Sequence, residues 1–117
     1  MAEHDERRSW ERFPTKIEVD YGSGDTFLFS YIENISEMGI FIRTDDPMQV
    51  GETLSMSFGH GGNVFELMGE VAWINPVRPD SINPGMGVRF IDLTPEQRER
   101  VVELVRTIAY LQPGESN

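Results

Sequence analysis

Apolar and polar positions alternate along most of this chain, and the rhythm changes only near its C-terminal end. Ile17, Val19 and Tyr21 alternate with Lys16, Glu18 and Asp20, the period-two pattern of a half-buried strand over residues 15–21. Gly22-Ser23-Gly24-Asp25 supplies turn residues, and Thr26 to Ile35, rich in aromatic and β-branched side chains, reads as a second strand. A third runs from Gly39 to Thr44 and stops at Asp45-Asp46-Pro47. Met48 to Glu52 is a loop with a turn at Gly51, after which Leu54, Met56 and Phe58 alternate with Ser55 and Ser57. Gly59-His60-Gly61-Gly62 closes a hairpin onto a fifth strand, Val64 to Ile74. Asn75 to Pro84 holds three of the seven prolines and predicts an irregular loop, and Met86 to Leu93 is a sixth strand.

The rhythm then becomes helical. Thr94-Pro95-Glu96-Gln97 places an N-cap threonine, a proline at the first helical position and a glutamine able to reach back to the cap. Val101, Leu104, Val105, Ile108 and Leu111 follow at helical spacing, with Arg98, Glu99, Glu103 and Arg106 on the wet face, until Pro113-Gly114. Six short antiparallel strands and one amphipathic helix predict a mainly β fold: a small six-stranded β-barrel with a C-terminal α-helix packed on it. Trp73, in the fifth strand, reads as a core anchor rather than a stacking platform.

Composition narrows the function classes. A chain of 117 residues with 38% hydrophobic content forms one domain with a packed core. It has no cysteine and only two histidines, His4 and His60, so no thiolate metal site can form and neither a metal nor a catalytic residue set is expected. The formal net charge of −10 argues against a nucleic acid polymer as partner. No apolar run reaches membrane-spanning length and the N-terminal residues are charged, so no membrane insertion is expected, and a cytoplasmic location is. A small anion remains possible where arginines cluster, as at Arg7, Arg8 and Arg12.

Two short motifs carry the chemistry. Arg8-Ser9-Trp10-Glu11-Arg12 is Arg-x-x-x-Arg just before the first strand, and Asn34-Ile35-Ser36-Glu37-Met38-Gly39 is Asn-x-Ser-x-x-Gly at the corner between the second and third. In this order, each beside its strand, they resemble the PilZ domain, a small β-barrel receptor for the bacterial second messenger cyclic di-GMP. Gly69-Glu70-Val71-Ala72-Trp73 and Gly85-Met86-Gly87-Val88-Arg89-Phe90 extend the resemblance, which spans roughly residues 7 to 93.

The resemblance implies a non-enzymatic receptor with cyclic di-GMP as ligand and no other cofactor. Arg8 and Arg12 would bind guanine and phosphate, and Asn34, Ser36 and Gly39 would form the barrel side of the site. Arg7, immediately before the motif, implies two mutually intercalated ligand molecules per chain. The chemistry suits the residues: a guanidinium fork matches guanine O6 and N7 or a phosphate, and amide and hydroxyl oxygens can accept from the guanine N–H edge. Residues 1–12 would be a flexible arm, residues 13–112 the barrel and helix, and residues 113–117 a tail. A downstream protein would receive the signal. The alternative left open is an adaptor of the same fold that binds only protein. Arg89 could face the site, and Trp10 could dock on the barrel or stack on a ligand.

Overall fold

The computed structural model describes residues 11–111. Six strands, β1 (Phe13–Ser23), β2 (Thr26–Ile35), β3 (Gly39–Arg43), β4 (Thr53–His60), β5 (Asn63–Asn75) and β6 (Gly85–Ile91), precede one helix, α1 (Pro95–Tyr110). The strands close a barrel in the order β1-β2-β3-β6-β5-β4, with every neighbouring pair antiparallel. The six-stranded barrel and C-terminal helix expected from the pattern are therefore present. The strands run one or two residues longer than the alternation alone suggests at several ends, because backbone pairing continues where side-chain periodicity fades.

Local chemistry sets the connections. Gly24 takes φ +63° at the two-residue turn between Ser23 and Thr26, and Gly61 and Gly62 both take positive φ between His60 and Asn63. These turns match the twist of the strands they join, and the conformation favours glycine. The segment between β5 and β6 is irregular, as its prolines require.

Inward side chains fill the barrel: Val19, Ile32, Ile40, Ile42, Leu54, Met56, Met86 and Val71 are essentially inaccessible to solvent. Val101, Leu104, Val105 and Ile108 of α1 join the same core cluster. Leu111 instead is exposed. The helix covers one end of the barrel. Arg100 donates to the Val64 carbonyl at 3.1 Å with its guanidinium 4.8 Å from the centre of the Phe65 ring. Arg98 donates to the Glu37 carbonyl at 2.7 Å, which ties α1 to the β2–β3 corner. Among the described residues, no helix is long and apolar enough to cross a membrane.

The start of α1 is the expected capping box. Thr94 Oγ1 accepts from Gln97 N at 3.1 Å, and Gln97 Oε1 accepts from Thr94 N at 2.9 Å. Gln97 Nε2 also donates to the Glu66 carbonyl at 3.3 Å, so the cap orients the helix as well as starting it. Thr94→Ala should cost about 1 kcal/mol, lowering the melting temperature by roughly 4–8 °C in a domain of this size. Thermal denaturation followed by circular dichroism checks this.

Candidate functional site

The corner between β2 and β3 is built around one buried hydroxyl. Ser36, only 1% exposed, accepts from Met38 N at 3.1 Å and Gly39 N at 3.2 Å through its Oγ, while its own N–H donates to the Gly39 carbonyl at 2.9 Å. A serine side chain thus does what a backbone carbonyl would do in a simple turn. Phe90 N donates to the Met38 carbonyl at 2.9 Å and fastens the corner to β6. Gly39 lies opposite Arg89, and a Cβ there would collide with the Val88 carbonyl oxygen. Its φ is not positive, so close approach of β6 is what requires a glycine. Expected as ligand contacts, Ser36 and Gly39 are placed by the structure inside the corner, where they shape it.

Asn34 reaches the outer surface because of a β-bulge. Ile32 pairs with Ile42 and Asn34 with Phe41, leaving Glu33 extra on β2; β1 bulges at the same level, between Pro14 and Ile17. Strict alternation would put Asn34 on the same face as buried Ile32. The extra residue shifts the phase, so Ile35 points inward and Asn34 outward. There Arg12 Nε donates to Asn34 Oδ1 at 2.6 Å. The last arginine of one motif thereby meets the first residue of the other. Arg12 is exposed overall, and partial desolvation lowers its pKa from the ordinary value, yet a guanidinium starting so high remains a cation. Arg7, Arg8 and Trp10 lie outside the described residues.

From Asn34 a single row crosses the outside of four strands: Asn34 on β2, Phe41 on β3, Gly87 on β6 and Trp73 on β5. Trp73 and Phe41 stack with ring centres 5.3 Å apart and planes at 26°. Trp73 lies so close over Gly87 that a Cβ there would strike the indole, and a Cβ at Gly85 would strike Phe41. This corrects the reading of Trp73 as a core anchor: it is 47% exposed on the outer face. The bulge at Ala72, between Val71 and Trp73, is the cause, because it moves Trp73 out of phase with inward Val71. The available signal was Gly85-x-Gly87, two outward positions without side chains in one strand, which leaves a floor on which rings can lie. Arg89 faces out one step further along β6 and pairs with Glu70.

The face therefore joins a guanidinium, a primary amide and the half-exposed indole of Trp73, which is seated over Gly87 and against buried Phe41. Such a surface can stack a planar base, read its edge by hydrogen bonds and neutralise a phosphate. Among the described residues, no cluster of His, Asp and Glu could hold a metal ion.

The PilZ domain family model matches residues 6–107. The chain belongs to the PilZ domain family. Solved structures agree on the fold at low identity. The motility inhibitor MotI/DgrA of Bacillus subtilis superposes with TM-score 0.72 at 18% identity over 91% of this chain and 53% of its own. This chain thus spans about half of that protein. The PilZ domain of YcgR from Escherichia coli, solved with cyclic di-GMP, gives 0.72 at 16% identity, covering 89% of this chain and 92% of that one. The PilZ domain of CeSA from a cellulose-synthesizing bacterium gives 0.67 at 16% identity over 85% and 98% of the two chains. No curated protein matches the chain.

Replacing Ser36 by alanine strands two backbone N–H groups, those of Met38 and Gly39, in a buried turn. Ser36→Ala should cost about 1–3 kcal/mol of stability, read by denaturant unfolding. Ser36→Thr, which keeps the hydroxyl, should lose less.

Proposed function

We propose that this PilZ domain is a cyclic di-GMP receptor and that its ligand lies on the outer face between Asn34 and Trp73. The observation that carries this is the Arg12–Asn34 bond, which brings the two motifs together at one end of a flat aromatic row. The bond uses Nε, so the terminal nitrogens of Arg12 can still address a guanine or a phosphate. Arg8 supplies the second guanidinium. The cyclic di-GMP in the YcgR PilZ structure and the membership of this chain in the same family support the choice of ligand.

Electrostatics is consistent with a small anion. With 20 acidic and 10 basic residues the molecule repels a polyanion at long range, but three arginines within six positions of sequence can offset the charges of a dinucleotide locally. In this reading the protein performs no chemistry on the ligand. Binding draws residues 7–12 onto the face, and the altered surface is what a downstream protein recognises. Ser36 and Gly39 act by holding the corner at which Asn34 is presented.

Calorimetric titration with cyclic di-GMP tests the reading. Wild type should bind, and Arg8→Ala, Arg12→Ala and Asn34→Ala should each weaken binding, the arginine variants by about 1.5–3 kcal/mol, or tenfold and more in Kd. The melting temperatures of the Arg12 and Asn34 variants should change little, since these two side chains lie outside the core. Wild type giving no heat at millimolar ligand would replace the receptor reading with that of a protein-binding adaptor.

Stoichiometry is a second expected outcome. Arg7 provides a further guanidinium, which a second, stacked ligand molecule would require to offset its two additional phosphates. Titration at protein concentrations well above Kd should break at two equivalents, and Arg7→Ala should move the break to one. A wild-type break at one equivalent would rule out the intercalated pair.

A further inference from the structure

The barrel is not closed along the whole length of β2. β3 ends at Arg43, opposite Tyr31, so Thr26 to Ser30 pair with β1 alone, and no other strand of the described residues covers their second edge. Beside this edge, between β2 and the Thr44–Asp46 segment, opens a cleft of about 560 Å³. Phe27 and Phe29 stand on the outer face next to it, 78% and 62% exposed, and Leu28 is 39% exposed on the inner side. An uncharged strand edge that displays three apolar side chains is a template for pairing with another strand.

The geometry points to a second copy of this chain as the occupant: we propose that two molecules pair antiparallel through Thr26–Ser30 about a twofold axis at Leu28. The residues Thr-Phe-Leu-Phe-Ser read nearly the same in both directions. A twofold contact requires a self-complementary surface, and antiparallel pairing centred on Leu28 puts Phe27 against Phe29 of the other copy, Leu28 against Leu28 and Thr26 against Ser30.

The backbone has the matching phase. The two-residue turn at Gly24-Asp25 makes Ser23 and Thr26 a hydrogen-bonded pair, and the alternation makes Tyr21 and Leu28 another. The N–H and C=O groups of Phe27 and Phe29 therefore point away from β1, toward the open edge. Each Phe27–Phe29 pair across the axis can exchange two backbone bonds, and the axis passes through a non-bonded Leu28 pair. Charge at the ends fits as well. Hairpin tip Asp25 of one copy comes to the end of β3 of the other, where Arg43 is held only loosely, by Glu33 at 4.0 Å and Asp45 at 3.8 Å. Symmetry repeats this contact, so two attractions at the ends offset part of the general repulsion between acidic molecules. A strand pair of five residues is a small interface, so the dimer should be weak, with Kd on the order of 10 µM.

The chain contains no cysteine, so a single introduced thiol reports its own neighbour. Leu28 atoms facing across a non-bonded pair have Cα atoms about 4.5 Å apart, inside the range a disulfide spans. Leu28→Cys should therefore form a covalent dimer with oxidised glutathione, while Val77→Cys, exposed in the loop before β6, should not. Sedimentation velocity should show wild type as a dimer at about 300 µM, dissociating on dilution. The double variant Phe27→Lys, Phe29→Lys, which sets lysine against lysine across the axis, should stay monomeric at the same concentration, with its circular dichroism unchanged. A wild type that is monomeric at that concentration overturns the proposal and leaves the edge to a strand of a different protein. A dimer that survives the double lysine variant, or a Leu28→Cys protein that does not crosslink, also overturns it, since the copies would then meet elsewhere or in another register.

Discussion

The close approach of β6 to the β2–β3 corner is the constraint on which the rest of the molecule depends. Strands β3 and β6 are far apart in sequence yet lie side by side, and at Gly39 their backbones come nearer than any Cβ would allow. That contact makes one of the two seams between the first three strands and the last three, the other being β1 against β4. It also sets the level of the outer row, because Phe41 of β3 and Gly87 of β6 pair two steps away from Gly39 and Arg89. Phe90 N bonded to the Met38 carbonyl and Arg98 bonded to the Glu37 carbonyl hold the corner from β6 itself and from α1. The loop that carries the motif is therefore among the better fastened connections in the chain, which suits a site that must present Asn34 in one orientation.

Two bulges give the face its chemistry. Without the extra residue at Glu33, Asn34 would turn into an apolar interior at a cost no buried amide without partners could offset. Without the extra residue at Ala72, the indole of Trp73 would compete for the interior space that Val71 and its neighbours already fill. A bulge exchanges one regular pairing step for a change of side, and here both changes place Asn34 and Trp73 on the same outward surface. The same device explains why the fold tolerates a tryptophan and an amide at these positions of strands whose other face is hydrophobic.

The barrel is uneven in how its surface is used. The end covered by α1 is tied down by polar side chains reaching backbone carbonyls, at Val64, Glu66 and Glu37. At the opposite end the β1–β2 hairpin continues past the end of β3 and carries exposed phenylalanines. The surface at Asn34 and the open edge are different parts of the same strand, β2, with Tyr31 and the Glu33 bulge between them. A ligand bound at Asn34 and a contact made at Thr26–Ser30 would therefore share one continuous element.

Much of this was legible in the residues. The alternation of Ile17, Val19 and Tyr21, the two-residue glycine turns and the Thr94–Gln97 box are local signals, and local signals suffice for strand, turn and helix because backbone sterics and hydrogen bonding act over a few residues. The pairing of the two motifs was also readable, since each stands beside the strand that positions it. What the residues alone could not decide was side. Trp73 and Asn34 change face through bulges, and a bulge depends on which strand lies alongside, a long-range fact with no mark in a single strand's own pattern. Ser36 looked like a ligand contact because its hydroxyl can serve either partner; only the depth of the corner makes it a turn residue. Gly39, Gly85 and Gly87 announced themselves as glycines, but what approaches each one is set by the closure of the barrel, where tertiary packing rather than local preference determines which surfaces meet.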